Sequence, residues 1–210
     1  MLKFILTVYG GLFIQLFIVY AIIFVLFTRL NPFRFLRKML PVILFAFSTS
    51  SSNATIPLNL ETLERKCGVD EKVASFTIPL GATINMSGTA IMQGVAVVFV
   101  AQAFGIDLST SALMTVVITA VTAAIGTAGV PGVGTIMLAM VFESVGLPAA
   151  GIAMIMGVDR ILDMGRTAVN VTGDAVVTMC MASLTKTLDR NVFQSRNEDL
   201  IEEPAKAPSE

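Results

Sequence analysis

The chain has 210 residues, 55% of them hydrophobic and only 14% charged, and its mean hydropathy is +0.81. A water-soluble domain needs about a quarter of its residues charged to clothe its surface, so a soluble globule is excluded and the expected solvent is a lipid bilayer. With 14 basic and 15 acidic residues the net charge is −1, which leaves no basic excess for tracking phosphates and argues against nucleic acid as a partner.

The run from Phe4 to Phe27 carries no charge and as a helix reaches about 36 Å, enough to cross a hydrocarbon layer. Residues 1–30 are read as the first transmembrane helix. The apolar stretch is too long for a signal peptide and runs into Arg29, Asn31, Pro32 and a basic cluster, not a small-residue cleavage site. Residues 31–68 change pattern: Met39 to Phe47 is apolar, Ser48 to Thr55 is polar, and Pro57 opens an amphipathic stretch that reaches Cys67. Neither arm is long enough to span, so this segment reads as a re-entrant hairpin. Residues 70–105 form the next transmembrane helix, interrupted by the polar string Asn85-Met86-Ser87-Gly88-Thr89. In residues 108–147 the hairpin plan recurs, with Ser111 to Ile125 apolar, Gly126 to Gly134 reading GTAGVPGVG, and Thr135 to Leu147 apolar again. Residues 148–188 form the last transmembrane helix, and 189–210 an acidic, Pro-containing tail expected to be disordered. Cys67 and Cys180 come without any histidine, so they suggest neither a zinc site nor a disulfide framework and read as reduced packing groups.

Basic residues give the orientation, because cytoplasmic flanks are rich in Lys and Arg. Arg29, Arg34, Arg37 and Lys38 precede the first hairpin, Arg65, Lys66 and Lys72 follow it, and Lys186, Arg190, Arg196 and Lys206 follow the last span, with nothing basic from Val73 through Asp159. The first hairpin is therefore expected to enter from the cytoplasm and the second from outside, with the C-terminus inside. Ser51 and Asn85 are spaced as Gly129 and Asp163 are. Each half thus reads as a broken hairpin followed by a polar-motif helix, with opposite topology. That is an inverted repeat, the plan of secondary transporters with a site at the bilayer midplane.

Asp159, Arg160, Asp163, Arg166, Thr167, Asn170 and Asp174 all lie in the last span. At about 100° per residue, positions 159, 163, 166, 170 and 174 fall within a sector of roughly 80° and make one polar stripe. Each charge near a helix centre costs about 2.5–3.5 kcal/mol on insertion scales, so the stripe cannot face lipid. It either pairs internally to hold helices together or lines a functional cavity, and intramembrane ionisable residues favour the second. Gly81 and Asn85 to Thr89 favour local unwinding in the preceding span, which is tolerated where a neighbour or a cation satisfies the freed carbonyls. The string GTAGVPGVG lacks a following Lys and a preceding strand, so it is neither a P-loop nor a dinucleotide fingerprint.

Four strings resemble the dicarboxylate/amino acid:cation symporter family, which includes the glutamate and aspartate transporters. They are Ser50-Ser51-Ser52, the string from Leu80 to Met86 with Gly88-Thr89, Gly126 to Gly134, and the string from Asp163 to Asp174; the resemblance extends to about Arg190. It implies an all-α membrane protein with two opposed re-entrant hairpins, a glutamate-transporter-like transport domain, and a symporter that couples Na+ or H+ entry to uptake of an acidic amino acid or related dicarboxylate. Asp163 would hold the substrate ammonium and Arg166 its side-chain carboxylate through a bidentate fork. Thr89, Thr167 and Asn170 would add polar contacts, and the tips at Ser50, Ser51, Ser52, Val130, Pro131, Gly132 and Gly134 would close over the ligand, the outer hairpin acting as gate. Cations would be held by Gly81, Asn85, Met86 and Asn170 with the Asp174 carboxylate, and by the carbonyls of Thr83, Ala124, Ile125 and Thr127. No organic cofactor is implied; the partners are the substrate, the coupling ion and the bilayer of a plasma or inner membrane, and complete members are homotrimers.

Two departures matter. Ser87 stands where many sodium-coupled members have Asp, which removes an anionic ligand and changes the expected cation count. Ser50 stands where some members have Arg, a charge that Arg160 can supply from the last helix. Relatives also have further helices before the first one here, so the chain resembles the C-terminal half of a transporter, and alone it is expected to insert without transporting. The alternatives are a passive anion channel, which would need no cation gradient, and an intramembrane hydrolase, which the lack of any His and the Arg166 beside Asp163 disfavour.

Overall fold

The structure, a computed structural model, describes residues 1–195. The first helix is continuous over Leu2–Thr28: α1 (Leu2–Ile14), a π turn (Gln15–Val19) and α2 (Tyr20–Thr28). Two hairpins and two broken helices follow: α3 (Pro32–Thr49), α4 (Ser52–Cys67), α5 (Glu71–Ile84), α6 (Ser87–Phe104), α7 (Thr110–Ile125), α8 (Val133–Ser144), α9 (Ala150–Met156), α10 (Asp159–Leu184) and the short α11 (Arg190–Gln194). No strand occurs among the described residues. Leu2–Thr28, Glu71–Phe104 and Asp159–Leu184 are long and apolar enough to cross a membrane, whereas α7 and α8 are shorter apolar helices.

Local chemistry explains the boundaries. The Asn31 side chain accepts from the amides of Phe33 and Arg34 ahead of Pro32, and Ser51, Asp70, Ser109 and Asp189 cap α4, α5, α7 and α11 in the same way. The Asn31 cap starts α3 well before Met39, so Arg34, Arg37 and Lys38 are helical. The Ser51 cap starts α4 at Ser52, before Pro57. Pro57 lies inside the helix, at the cost of one backbone bond, and the first turn shrinks to Ser50–Ser51. The last span is broken at Gly157–Val158, between α9 and α10.

Helix α10 is the centre of the molecule. In its apolar window 78% of residues are buried, against 17% for Leu2–Thr28, so α10 is core and the first helix is periphery. It packs against α2, α3, α4, α5 and α6, while α7 and α8 pack against α6 and each other. The hairpin tips meet: the Gly129 carbonyl accepts from Asn53 N at 3.1 Å and from Ser51 Oγ at 2.9 Å. A Cβ on Gly129 would lie 2.5 Å from Asn53 Oδ1, so a larger residue there would have to turn the Asn53 side chain aside.

Residues 189–195, expected within a disordered tail, instead fold back as α11. Phe193 is buried against Phe24, and Lys38 Nζ donates to the carbonyls of Lys66 and Val192. Asp189 N donates to Gly68 O and Arg190 Nη2 to Thr28 O. The disorder expectation from residue 196 onward lies outside the described residues. Both cysteines are free and buried, and burial pushes the Cys67 thiol up to about 12, so it stays a protonated packing group.

Candidate functional site

The polar stripe of α10 faces inward. Asp163 is 6% exposed, and Arg166, Asn170 and Asp174 are 2–3% exposed, so the helix turns every ionisable group of the stripe except Asp159 fully into the protein. Arg166 is held by two carboxylates of its own helix, Nε donating to Asp163 Oδ1 at 2.9 Å and Nη2 lying 3.3 Å from Asp159 Oδ1. Its Nη1 and Nη2 are buried without a hydrogen-bond acceptor, and buried guanidinium donors left open are costly unless something fills them. They border a small polar cavity lined by Ser50, Ser52, Met86, Thr89, Thr127, Ala128, Gly129, Val130, Gly134, Asp163, Arg166, Thr167 and Asn170. Ser50 is in the left-handed region (φ 54°) and its buried hydroxyl, on the cavity wall, also has no partner.

The second hairpin closes the other side. Gly132, in the left-handed region, donates its amide to Asp163 Oδ2 at 2.9 Å, and Thr167 Oγ1 donates to Oδ1 at 3.4 Å. A Cβ on Gly134 would meet the Arg166 guanidinium carbon at 3.1 Å, and Gln93 Nε2 donates to the Gly134 carbonyl. The Thr135 hydroxyl donates to Asp159. The first hairpin is reached by Arg160, whose Nη2 donates to Ser48 O.

About one helical turn further along α10, Asn170 joins this region to the break in the second span. Its Oδ1 accepts from Gly88 N at 2.7 Å, and its Nδ2 donates to Thr89 Oγ1 and Met86 Sδ, each at 3.2 Å. The helix leaves off at Asn85–Met86 only, while Ser87, Gly88 and Thr89 already belong to α6. One turn beyond Asn170, Asp174 has a single side-chain donor, Asn85 Nδ2 at 2.9 Å, and no Lys or Arg pairs with it among the described residues. Gly81 faces it, and a Cβ there would lie 2.6 Å from Asp174 Oδ1.

Of the sequence-derived set, Ser50, Ser52, Thr89, Val130, Gly134, Asp163, Arg166, Thr167 and Asn170 converge on one cavity, with Ser51 and Gly132 bonded to its walls. Pro131 is exposed and does not line it. Gly81, Asn85 and Asp174 converge with Asn170 nearby. Ala124 and Ile125 face Asn85 and Met86 across a second cavity, but Thr83 is exposed with its hydroxyl on Leu80 O, and Thr127 lines the first cavity instead. Asp159 as a partner of Arg166 was legible as a member of the stripe; Thr135, Gln93 and Tyr20 had no sequence signal beyond a polar group that needs a partner.

Comparison with known proteins places these residues in context. The description of the sodium:dicarboxylate symporter family matches residues 1–184. Among curated relatives, excitatory amino acid transporter 3 of Mus musculus is 45% identical over 180 residues, 86% of this chain and 34% of that protein. Neutral amino acid transporter A of Bos taurus is 43% identical over 174 residues, 83% of this chain and 33% of the other. Excitatory amino acid transporter 1 of Rattus norvegicus is 40% identical over 194 residues, 92% of this chain and 35% of the other. The chain spans about a third of the length of the curated relatives it matches.

Proposed function

Because the chain belongs to the sodium:dicarboxylate symporter family, we propose that it binds an acidic amino acid or related dicarboxylate in the cavity beside Arg166 and couples its uptake to entry of Na+ or H+. The family is one of multi-pass membrane transporters and not of enzymes, which sets the hydrolase alternative aside. The observation that carries the reading is a charge count. Fully ionised, Asp159, Asp163 and Asp174 would carry three negative charges against the one positive charge of Arg166, a net of −2 for protons or metal cations to offset. An acidic amino acid adds a further negative charge. An uncompensated cluster of that size around a buried cavity is costly, which supports entry of cations together with the anion.

In this reading the open Nη1 and Nη2 of Arg166 take the substrate's side-chain carboxylate, and Asp163 takes its ammonium, competing with Gly132 N. Thr89, Thr167, Asn170 and Ser50 supply the remaining polar contacts. Ser51, Ser52, Val130, Pro131, Gly132 and Gly134 form the covers on either side. Asp174 with carbonyls of Gly81, Asn85, Met86 and Asn170 receives one cation, and carbonyls of Ala124 and Ile125, with Thr83 and Thr127 flanking, a second. The first hairpin opens to the cytoplasm and the second to the outside, in agreement with Arg29, Arg34, Arg37, Lys66, Lys72 and Arg190 all lying on the base of the first hairpin and its neighbours.

The test is substrate binding to the purified protein in detergent, measured with sodium, with choline, and across pH. Tight aspartate or glutamate binding that requires sodium or rises with acidity is expected. Asp163→Asn should weaken these amino acids by about tenfold or more, the worth of one charge-assisted hydrogen bond, while succinate, which has no ammonium, changes little. Equal losses for both ligands would remove Asp163 from the ammonium, and cation-independent binding would refute the coupling.

A further inference from the structure

The first helix brings Gln15, which lines a cavity with Asn85, Met86 and Ser87, and Tyr20 to the neighbourhood of Asp174. Its buried residues are Phe4, Val8 and Leu12 before the π turn and Tyr20, Phe24 and Thr28 after it. A stripe at every fourth residue drifts about 40° per step around an ideal α-helix, so over this length it would leave the core. The π turn, closed by Tyr20 N on Gln15 O, takes up one extra residue and resets the phase; such single turns are frequent at functional sites. Tyr20 is thereby carried inward, 6% exposed, with its hydroxyl 2.5 Å from Ser87 Oγ. Gly173 leaves the room: a Cβ there would lie 2.2 Å from the Tyr20 hydroxyl and 2.7 Å from Asn85 Nδ2. Tyr20 and Asn85 therefore reach through the same gap on the face of α10 that ends in Asp174.

We propose that Tyr20 is a positioning residue for the cation site. Its bond to Ser87 pins the first turn of α6, and so holds the Asn85–Met86 break with Asn85 against Asp174. The bridge does this with two neutral oxygens, so on this side Asp174 stays the one carboxylate that a cation must balance. The inference rests on the assignment of a cation to Asp174 and adds what sets the geometry of that site.

The test uses the purified protein with Tyr20→Phe, Ser87→Ala, the double variant, and Ser87→Thr, which keeps the hydroxyl. The half-saturating sodium concentration for thermal stabilisation should rise about three- to tenfold in Tyr20→Phe and in Ser87→Ala, by the same amount in the double variant, and by less than about twofold in Ser87→Thr. Without sodium, hydrogen exchange across residues 84–90 should speed up several-fold in both single variants. Should Tyr20→Phe fail to fold, Ser87→Ala probes the same bond from its other end. A lower melting temperature with unchanged sodium midpoints, additive losses in the double variant, or unchanged exchange would each overturn the proposal. A parent protein that no alkali cation stabilises would instead overturn the assignment at Asp174, and the parent alone reveals that.

Discussion

Arg166→Thr is expected to lower affinity for aspartate and glutamate by at least about 100-fold and to shift preference toward neutral amino acids. The guanidinium has two nitrogens buried beside the cavity without acceptors, and each N–H donated to a carboxylate is worth about 1.5–3 kcal/mol in such a setting. Two of them give roughly 3 kcal/mol or more, which is the hundredfold. The substitution also strands Asp163 and Asp159, which share Arg166 as their positive neighbour. Removing one partner of a buried pair costs about 3–5 kcal/mol, so the variant needs a folding control. Arg166→Lys is that control: it keeps the charge but not the planar fork, and should recover stability while leaving acidic substrates weakly bound. Binding of each ligand class, read beside the melting temperature, separates the two effects. Acidic binding within threefold of the parent would remove Arg166 from the substrate.

Asp174→Asn is expected to raise the sodium required for half-maximal substrate binding at least tenfold. Asp174 is 2% exposed, its one side-chain hydrogen bond among the described residues comes from the amide of Asn85, and no basic side chain pairs with it there. A carboxylate so placed is costly to keep charged unless a cation joins it. Asparagine keeps the shape and an oxygen for Asn85, so the fold should survive while the charge is lost. Gly81→Ala should move the sodium midpoint in the same direction, because its methyl would press on Asp174 Oδ1. Substrate binding at unchanged sodium dependence in both variants would place the cation elsewhere.

Much of this site was legible in the sequence because a membrane makes polar residues conspicuous. In a chain that is 55% hydrophobic, the stripe from Asp159 to Asp174, the Asn85 interruption and the two small-residue tips stood out, and their inward placement follows from the cost of exposing charge to lipid. What stayed hidden depended on partners distant in sequence. Thr135 meeting Asp159, Gln93 meeting Gly134 and Tyr20 meeting Ser87 are choices among equivalent hydroxyls and amides that only packing decides. Boundaries were hidden for a different reason. Hydropathy marks where a segment turns polar, whereas helices begin at capping side chains, so Asn31 and Ser51 start α3 and α4 ahead of their apolar residues. The start of the tail reads as disordered because its polar composition outweighs a single Phe193, whereas α11 is seated by that ring against Phe24 together with bonds from Asp189, Arg190 and Lys38 to distant partners.

That seating makes the two hairpins mechanically unlike. At its base the first is riveted by α11: Asp189 to Gly68, Lys38 to the carbonyls of Lys66 and Val192, and Arg190 to Thr28. Both its arms also lie along α10. Beyond its own arms the second hairpin leans mainly on α6, with lesser contacts to α5 and α9, and it is held over the cavity by a few bonds at the tip, from Gly129, Gly132, Gly134 and Thr135. Bonds of this kind are worth about 1 kcal/mol apiece, within reach of what a ligand can offset. Counted in such bonds, the first hairpin is the more firmly seated of the two, and displacing the tip of the second costs less than displacing the base of the first.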